Sequence, residues 1–303
     1  MIKLKKPIKL LILVLTLSLV IVGCSGKGDK ETSEGPNTPE QPSENGNKIV
    51  VVSREDGSGT RGAFVELTGI LEKDAEGNKV DRTTDEAIIQ MKTDAVISSI
   101  AGDEDSIGYI SLGSLNENIK GLKVDGVEPT PENVKSKDYK VVRPFNVATK
   151  GEKNPLTEDF LKFILSKEGQ EIVSKNYIAV DDALESYEGE EVEGKIVVAG
   201  SSSVTPVMEL LKEGYLKVNP KAEIEIQLSD SSAGMQAAID GIADIGMASR
   251  ELKDSEKEEL DEVAIALDGI AIVVNKNNDI DDLSIDEIRD IFIGEITNWS
   301  EVK

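Results

Sequence analysis

The residues best equipped for chemistry in this 303-residue chain are serines, threonines and arginines set in glycine-bearing turns. The run Val52-Ser53-Arg54-Glu55-Asp56-Gly57-Ser58-Gly59-Thr60-Arg61-Gly62 follows a β-branched stretch and opens a helical pattern. Gly57 and Gly59 allow positive φ and let main-chain N–H groups converge on a ligand. Ser58 and Thr60 add hydroxyl donors, and the helix start adds partial positive charge. Arg54 carries a planar fork that matches tetrahedral oxyanions, with Asp56 placed to hold that fork. The chemistry is anion capture. The alternative is an ordinary capped turn with a surface arginine, because serine before a helix is common. The nucleotide-binding pattern G-x-x-x-x-G-K-S/T is absent, which excludes a P-loop.

Two further turns have the same character. Ala199-Gly200-Ser201-Ser202-Ser203-Val204-Thr205-Pro206 ends a strand pattern and begins a helix, with Pro206 in its first turn. Leu228-Ser229-Asp230-Ser231-Ser232-Ala233-Gly234-Met235 does the same. Three such turns point to an oxyanion site assembled from helix N-termini.

Composition narrows the choice. There is no histidine, and Cys24 is the one cysteine. A histidine-based triad and an internal disulfide are excluded, and a Cys/His zinc site is disfavoured. No metal-binding carboxylate cluster stands out, so an enzyme such as a serine phosphohydrolase is the weaker alternative, and no cofactor is expected. The net charge of −24 does not suit nucleic-acid binding. It reads as solubility, and exposed charge is screened within about 8 Å at physiological salt.

The elements that position these turns lie in an α/β pattern that follows an export signal. Lys3, Lys5, Lys6 and Lys9 precede an apolar run, Leu10–Val22, and then Gly23-Cys24. That run is short for a membrane span and fits a cleaved secretory signal over 1–24. Ile21-Val22-Gly23-Cys24 resembles the bacterial lipoprotein box, which implies lipid on Cys24 and a cell-membrane, extracytoplasmic location. The alternative is a transmembrane anchor with an incidental cysteine. Residues 25–47 are rich in Gly, Ser, Pro, Glu and Asn and read as a disordered tether. From Lys48 onward, strand patterns at 49–52, 107–111, 140–142, 196–199, 223–228, 263–267 and 270–274 alternate with helical patterns at 61–72, 84–91, 157–165, 205–218, 233–240 and 285–293. This is α/β patterning. Within 205–218, Val207, Leu210, Leu211 and Val218 share a core-facing stripe. The acidic stretch 181–193 is the best internal boundary by composition.

The segments IVVVSREDGSGTRGAF at 49–64, GSSSVTPVMELL at 200–211, DIGMASREL at 244–252, ALDGIAIVVN at 266–275 and LSIDEIRDIFIGEITNWSEV at 283–302 closely resemble the substrate-binding protein of the bacterial phosphate ABC transporter. The resemblance implies a two-lobed, type II periplasmic-binding-protein-like fold, inorganic phosphate as ligand, a transmembrane permease as partner and a monomeric state. The segment order is rotated relative to that family, as in a circular permutation, so Lys303 is expected near Lys48. One lobe would then comprise 48–144 plus 268–303 and the other 145–267. Two crossovers near 143–147 and 266–270 would form the hinge. The phosphate-gripping residues carry over to Arg54, Ser58, Gly59, Thr60, Ser203, Val204 (through its N–H) and Ser231, with Ser202 the fallback for Ser203. Some family members place an aspartate in the site to accept the phosphate proton. The matching position here is Arg250, which leaves Asp268 and then Asp230 as candidates. Another oxyanion such as sulfate or molybdate, or a surface sensing or adhesion role, stays open.

Overall fold

A computed structural model describes residues 47–180, 185–189 and 191–303. Cys24 and nearly all of the expected tether lie outside them, as do 181–184 and 190 of the acidic stretch. Among the described residues, no helix is long and apolar enough to cross a membrane.

The strands assemble into a nine-stranded mixed sheet in the order Ala222–Ser229, Gly194–Ser201, Ile245–Ala248, Val142–Thr149, Asp261–Asn275, Ser106–Ser111, Val50–Arg54, Ile88–Gln90, with Ile119–Gly121 pairing beside Asp261–Asn275. Its two ends are parallel trios. Between them, Val142–Thr149 and Asp261–Asn275 pair antiparallel, with Asp268 opposite Arg143. Asp261–Asn275 turns from this pairing to pair with Ser106–Ser111 from Ile270 onward. It is one continuous strand where the sequence suggested two. The fold is thus the two-lobed α/β type, and a further bridge between Ile178 and Leu267 flanks the crossing strands.

The apolar core follows the same division. One cluster packs Val52, Phe64, Ile107, Tyr109, Ile272 and Phe292, and another packs Phe145, Phe160, Ile196, Met208, Leu211 and Tyr215. Phe64 stacks on Tyr109 with ring centroids 3.9 Å apart and meets Phe292 edge-on at 4.8 Å. The ends of the globular region meet: Ile49 N–H donates to Thr297 O at 2.8 Å and Trp299 N–H to Asn47 O at 3.1 Å.

Three local expectations need correction. The helix expected over 61–72 spans Gly59–Leu67. Gly69, at φ 75°, takes the left-handed conformation that ends helices, and Leu71–Lys73 instead pairs with Lys79–Asp81. The helix expected over 84–91 is absent. Ile88–Gln90 is an edge strand beside Val50–Arg54, and the helix begins at Thr93. Ile88 and Ile89, on opposite faces of this short edge strand, are both exposed and carry no buried helical stripe. In Thr205–Val218 the buried face is Val207, Met208, Leu211 and Tyr215, while Val218, in the last turn, is 52% exposed.

Phe64→Ala removes a fully buried ring from two aromatic contacts. It should lower unfolding free energy by about 3–5 kcal/mol, measured as a reduced urea midpoint at unchanged slope.

Candidate functional site

Each turn singled out above lies at the carboxyl end of a parallel strand, where α/β sheets form their ligand crevices. Arg54 closes Val50–Arg54 and is buried. Its N–H donates to Tyr109 Oη at 3.2 Å, and Tyr109 Oη and Ser53 Oγ lie 2.8 Å apart. Burial pushes the Tyr109 phenol up to about 12, so it stays protonated. The Arg54 guanidinium is gripped by Glu55, with Nε and Nη2 each 2.7 Å from a carboxylate oxygen. Nη2 also donates to Ser202 Oγ at 3.1 Å and Nη1 to Thr93 Oγ1 at 3.4 Å. The expectation that Asp56 holds the fork is therefore wrong. Asp56, 97% exposed at its side chain, pairs with Arg61 at 2.9 Å. A buried guanidinium needs a buried counter-charge, and Glu55 is the residue that turns inward.

Ser58 caps the Gly59–Leu67 helix by accepting from Arg61 N–H at 3.3 Å. Neither Gly57 nor Gly59 has positive φ. They are needed for closeness instead: a methyl on Gly59 would overlap Ser231 Oγ and lie 2.8 Å from Ser249 Oγ, and one on Gly57 would overlap Asp230. Ser232 N–H donates to Gly57 O at 3.2 Å across the same approach.

The hydroxyls of distant segments meet here. Thr60 Oγ1 lies 2.8 Å from Ser203 Oγ, and Thr93 Oγ1 lies 3.3 Å from Ser203 Oγ and 3.4 Å from Ser202 Oγ. Ser231 Oγ accepts from Ser249 N–H at 3.2 Å, and Ser201 Oγ donates to Ser249 Oγ at 2.9 Å. All of these side chains are buried. Arg54, Gly59, Thr60, Ser202, Ser203 and Ser231 are thus brought to one cluster, with Ser58 at its helix start.

Val204 is not turned toward it. Its side chain packs in the core and its N–H donates to Ser201 O at 3.1 Å. Thr93 and Ser249 were missed by the sequence reading. Thr93 opens the Thr93–Gly102 helix and was hidden by the misplaced 84–91 helix; the Lys92-Thr93-Asp94 run after Ile88-Ile89 was the available signal.

The candidate proton acceptors are already engaged by other donors. Asp230 caps the Ser231–Ile239 helix, accepting from Ala233 N–H at 2.8 Å. Asp268 Oδ2 accepts from Arg143 Nε and Nη2 at 3.2 and 3.0 Å, and its Oδ1 accepts from Ser111 Oγ at 3.0 Å. Burial pushes the Asp268 carboxyl up to about 6, against the pull of Arg143. Arg250 binds Glu256 through two 2.8 Å bonds and reaches Ser232 Oγ at 3.3 Å. Among the described residues, no group of three or more His, Cys, Asp or Glu is placed to hold a metal ion. The arrangement can bind a small oxyanion by many short donors.

Burial favours the neutral form of Glu256, but hydrogen bonds from Arg250 and the Lys253 N–H hold its carboxyl below the usual range. A depressed carboxyl stabilises above its unfolded value and loses that contribution as pH falls through the folded one. Glu256→Gln should therefore cost about 3 kcal/mol at pH 7. The gap to wild type should close as pH drops below about 4, followed by urea unfolding across pH.

A family model described as a PBP superfamily domain matches residues 37–168 and 185–303. The phosphate-binding protein PstS 2 of Streptococcus agalactiae serotype V is 52% identical over 257 residues, spanning 84% of this chain and 87% of that protein. The protein of the same name from Streptococcus pneumoniae serotype 4 is 43% identical over 288 residues, spanning 95% and 98%. The crystal structure of a phosphate-binding protein of a phosphate ABC transporter from Streptococcus pneumoniae TIGR4 superposes with a TM-score of 0.68 at 44% identity, covering 85% of this chain and all of that one. This chain belongs to the PBP superfamily, in the family of the phosphate-binding PstS proteins.

Proposed function

We propose that this protein binds inorganic phosphate between two lobes and delivers it to the permease of a phosphate ABC transporter, as a binding protein and not as an enzyme. The observation that carries the reading is the contact of Thr60 Oγ1 with Ser203 Oγ beside the buried Arg54 fork. Hydroxyls separated by 143 positions in sequence converge there with a guanidinium. Stripping water from a dianion is costly, and many charge-assisted hydrogen bonds are needed to offset it. Arg54, Ser58, Thr60, Ser203 and Ser231 supply side-chain donors, Gly59 supplies a main-chain N–H at a helix start, and Ser202 and Thr93 complete the wall. The lobes are taken as 48–144 plus 268–303 and 145–267, so closure brings the two half-shells together. Lipid on Cys24 would hold a monomer at the extracytoplasmic face through the 25–47 tether.

The rotated order is read as a circular permutation. The bond from Ile49 to Thr297 joins the ends at a surface edge, where new termini are tolerated. A match running along 95% of this chain and 98% of a relative supports an order shared with that protein over a disrupted gene.

A second reading, another tetrahedral oxyanion, is favoured by one observation. The carboxylates around the cluster, Glu55, Asp230, Asp268 and Glu256, are each bonded to an arginine or a helix N-terminus. Isothermal titration with phosphate, then sulfate and molybdate in competition, separates the readings. Stronger binding of sulfate than phosphate would remove phosphate as the ligand.

Arg54→Ala should weaken phosphate binding by about 30-fold or more, since a charged donor contributes roughly 1.5–3 kcal/mol and Glu55 is left unpaired. Gly59→Ala should lower the melting temperature, because its methyl would overlap the buried Ser231 Oγ. Its affinity should fall by about 10-fold, as expected for ~1.4 kcal/mol of lost approach. Raising salt should change the wild-type affinity only modestly, because the cage acts well inside the ~8 Å screening length.

A further inference from the structure

The buried pair Arg143 and Asp268 is not used by the site as described, yet it touches that site's framework. The two residues face each other on the crossing strands, and their side chains are almost wholly buried. Asp268 Oδ2 takes two N–H donors of Arg143, while Oδ1 takes the Ser111 hydroxyl from the neighbouring strand. The remaining arm of the guanidinium, Nη1, donates to Ser249 O at 3.1 Å. Ser249 follows the Ile245–Ala248 strand, and its own N–H donates to Ser231 Oγ at 3.2 Å. A hydrogen-bonded line therefore runs from Ser111 through Asp268, Arg143 and Ser249 to Ser231. It begins in one parallel trio, passes through the crossing strands and ends at a site hydroxyl contributed by the other trio.

We propose that Arg143 and Asp268 form a positioning pair that sets Ser249, and through its N–H the Ser231 hydroxyl, for phosphate. The inference rests on the phosphate reading above. Stability alone does not explain the pair, because apolar side chains of similar volume generally serve a core as well or better than a buried ion pair. A guanidinium is the group able to bond the carboxylate and a second acceptor at once, since its donors are fixed in a plane. Holding the Ser249 carbonyl fixes the backbone of the residue whose N–H occupies a Ser231 lone pair. The Ser231 hydroxyl hydrogen is then directed away from Ser249, toward the side where Gly59 approaches.

The experiment is phosphate titration of four proteins: wild type, Arg143→Lys, Ser231→Ala and the double variant. A lysine ammonium can keep the Asp268 pair but lacks the fork that also spans to Ser249 O. Arg143→Lys should bind phosphate about 10-fold more weakly, and in the Ser231→Ala background the same change should cost about 2-fold or less, the non-additivity expected of groups acting in one chain. A pair that only supports the fold would give multiplicative losses, and that result overturns the proposal, as does native affinity in Arg143→Lys. If Arg143→Lys fails to fold, Arg143→Met combined with Asp268→Leu removes both charges together. That protein should keep its melting temperature and lose about 10-fold in affinity; folded protein with native affinity refutes the role. Wild-type protein that binds sulfate but no phosphate overturns the phosphate reading and this inference together, whereas wild-type binding with unaffected variants overturns this inference alone.

Discussion

The pairing of Val142–Thr149 with Asp261–Asn275 is the constraint from which the rest of the molecule follows. Two parallel trios have no direct strand contact with each other, and this antiparallel pair is what joins them in one sheet. A parallel strand delivers its chain to a helix at its carboxyl end, and the helix start presents unpaired N–H groups there. With the trios set by the crossing strands, Arg54 at the end of one strand and Ser201 at the end of another reach a common place. The hydroxyls between them then bond across the approach. The burial of Arg143 and Asp268 within the crossing pair ties the joint to the same set of groups.

Charge at the cluster is managed locally. Arg54 is matched by Glu55, Arg143 by Asp268 and Arg250 by Glu256, each within 3.0 Å. A buried arginine without such a partner would be costly. The same neutralisation means that attraction for an anion comes from donors at contact distance, the Arg54 fork, the hydroxyls and the N–H dipoles, and not from net charge. A chain with net charge −24 can therefore bind a dianion, because distant surface carboxylates are screened while the cage is not.

The parts legible in the sequence were those fixed by local pattern. The three hydroxyl turns, the Thr205–Val218 and Ile285–Ile293 helices and most central strands follow from periodicity and turn residues. The turn pattern singled out Arg54 and Thr60, while the choice of Ser203 and Ser231 among the serines of their turns came from the resemblance; the fold brings all four to one cluster. What stayed hidden depended on contacts between segments. Glu55 and Asp56 are adjacent acids, and which of them turns inward is decided by burial of Arg54 at a strand end. Ile88 and Ile89 look like core residues, but they project from opposite faces of a short edge strand and both lie in water. The roles of Gly57 and Gly59 were read as freedom in φ, when the need is space for Asp230 and Ser231. Asp268 looked available beside a crossover, and only the register opposite Arg143 shows that it is taken.

The place where residues 47–49 meet 297–299 bears on how the site is held. The Lys48–Asn298 bridge and the bond from Trp299 Nε1 to Asp105 O close the far edge of one trio, at the amino end of Val50–Arg54. The cluster lies at the opposite, carboxyl end of that strand. Strand register, helix starts and the crossing pair are set by hydrogen bonds that do not depend on which loop joins which element. Closing a loop of ordinary length costs only a small entropy that grows slowly with length. A break in the chain at the amino end of a strand would thus leave every donor of the cluster in place, whereas one within the 54–60 turn would remove the helix start that supplies Ser58, Gly59 and Thr60.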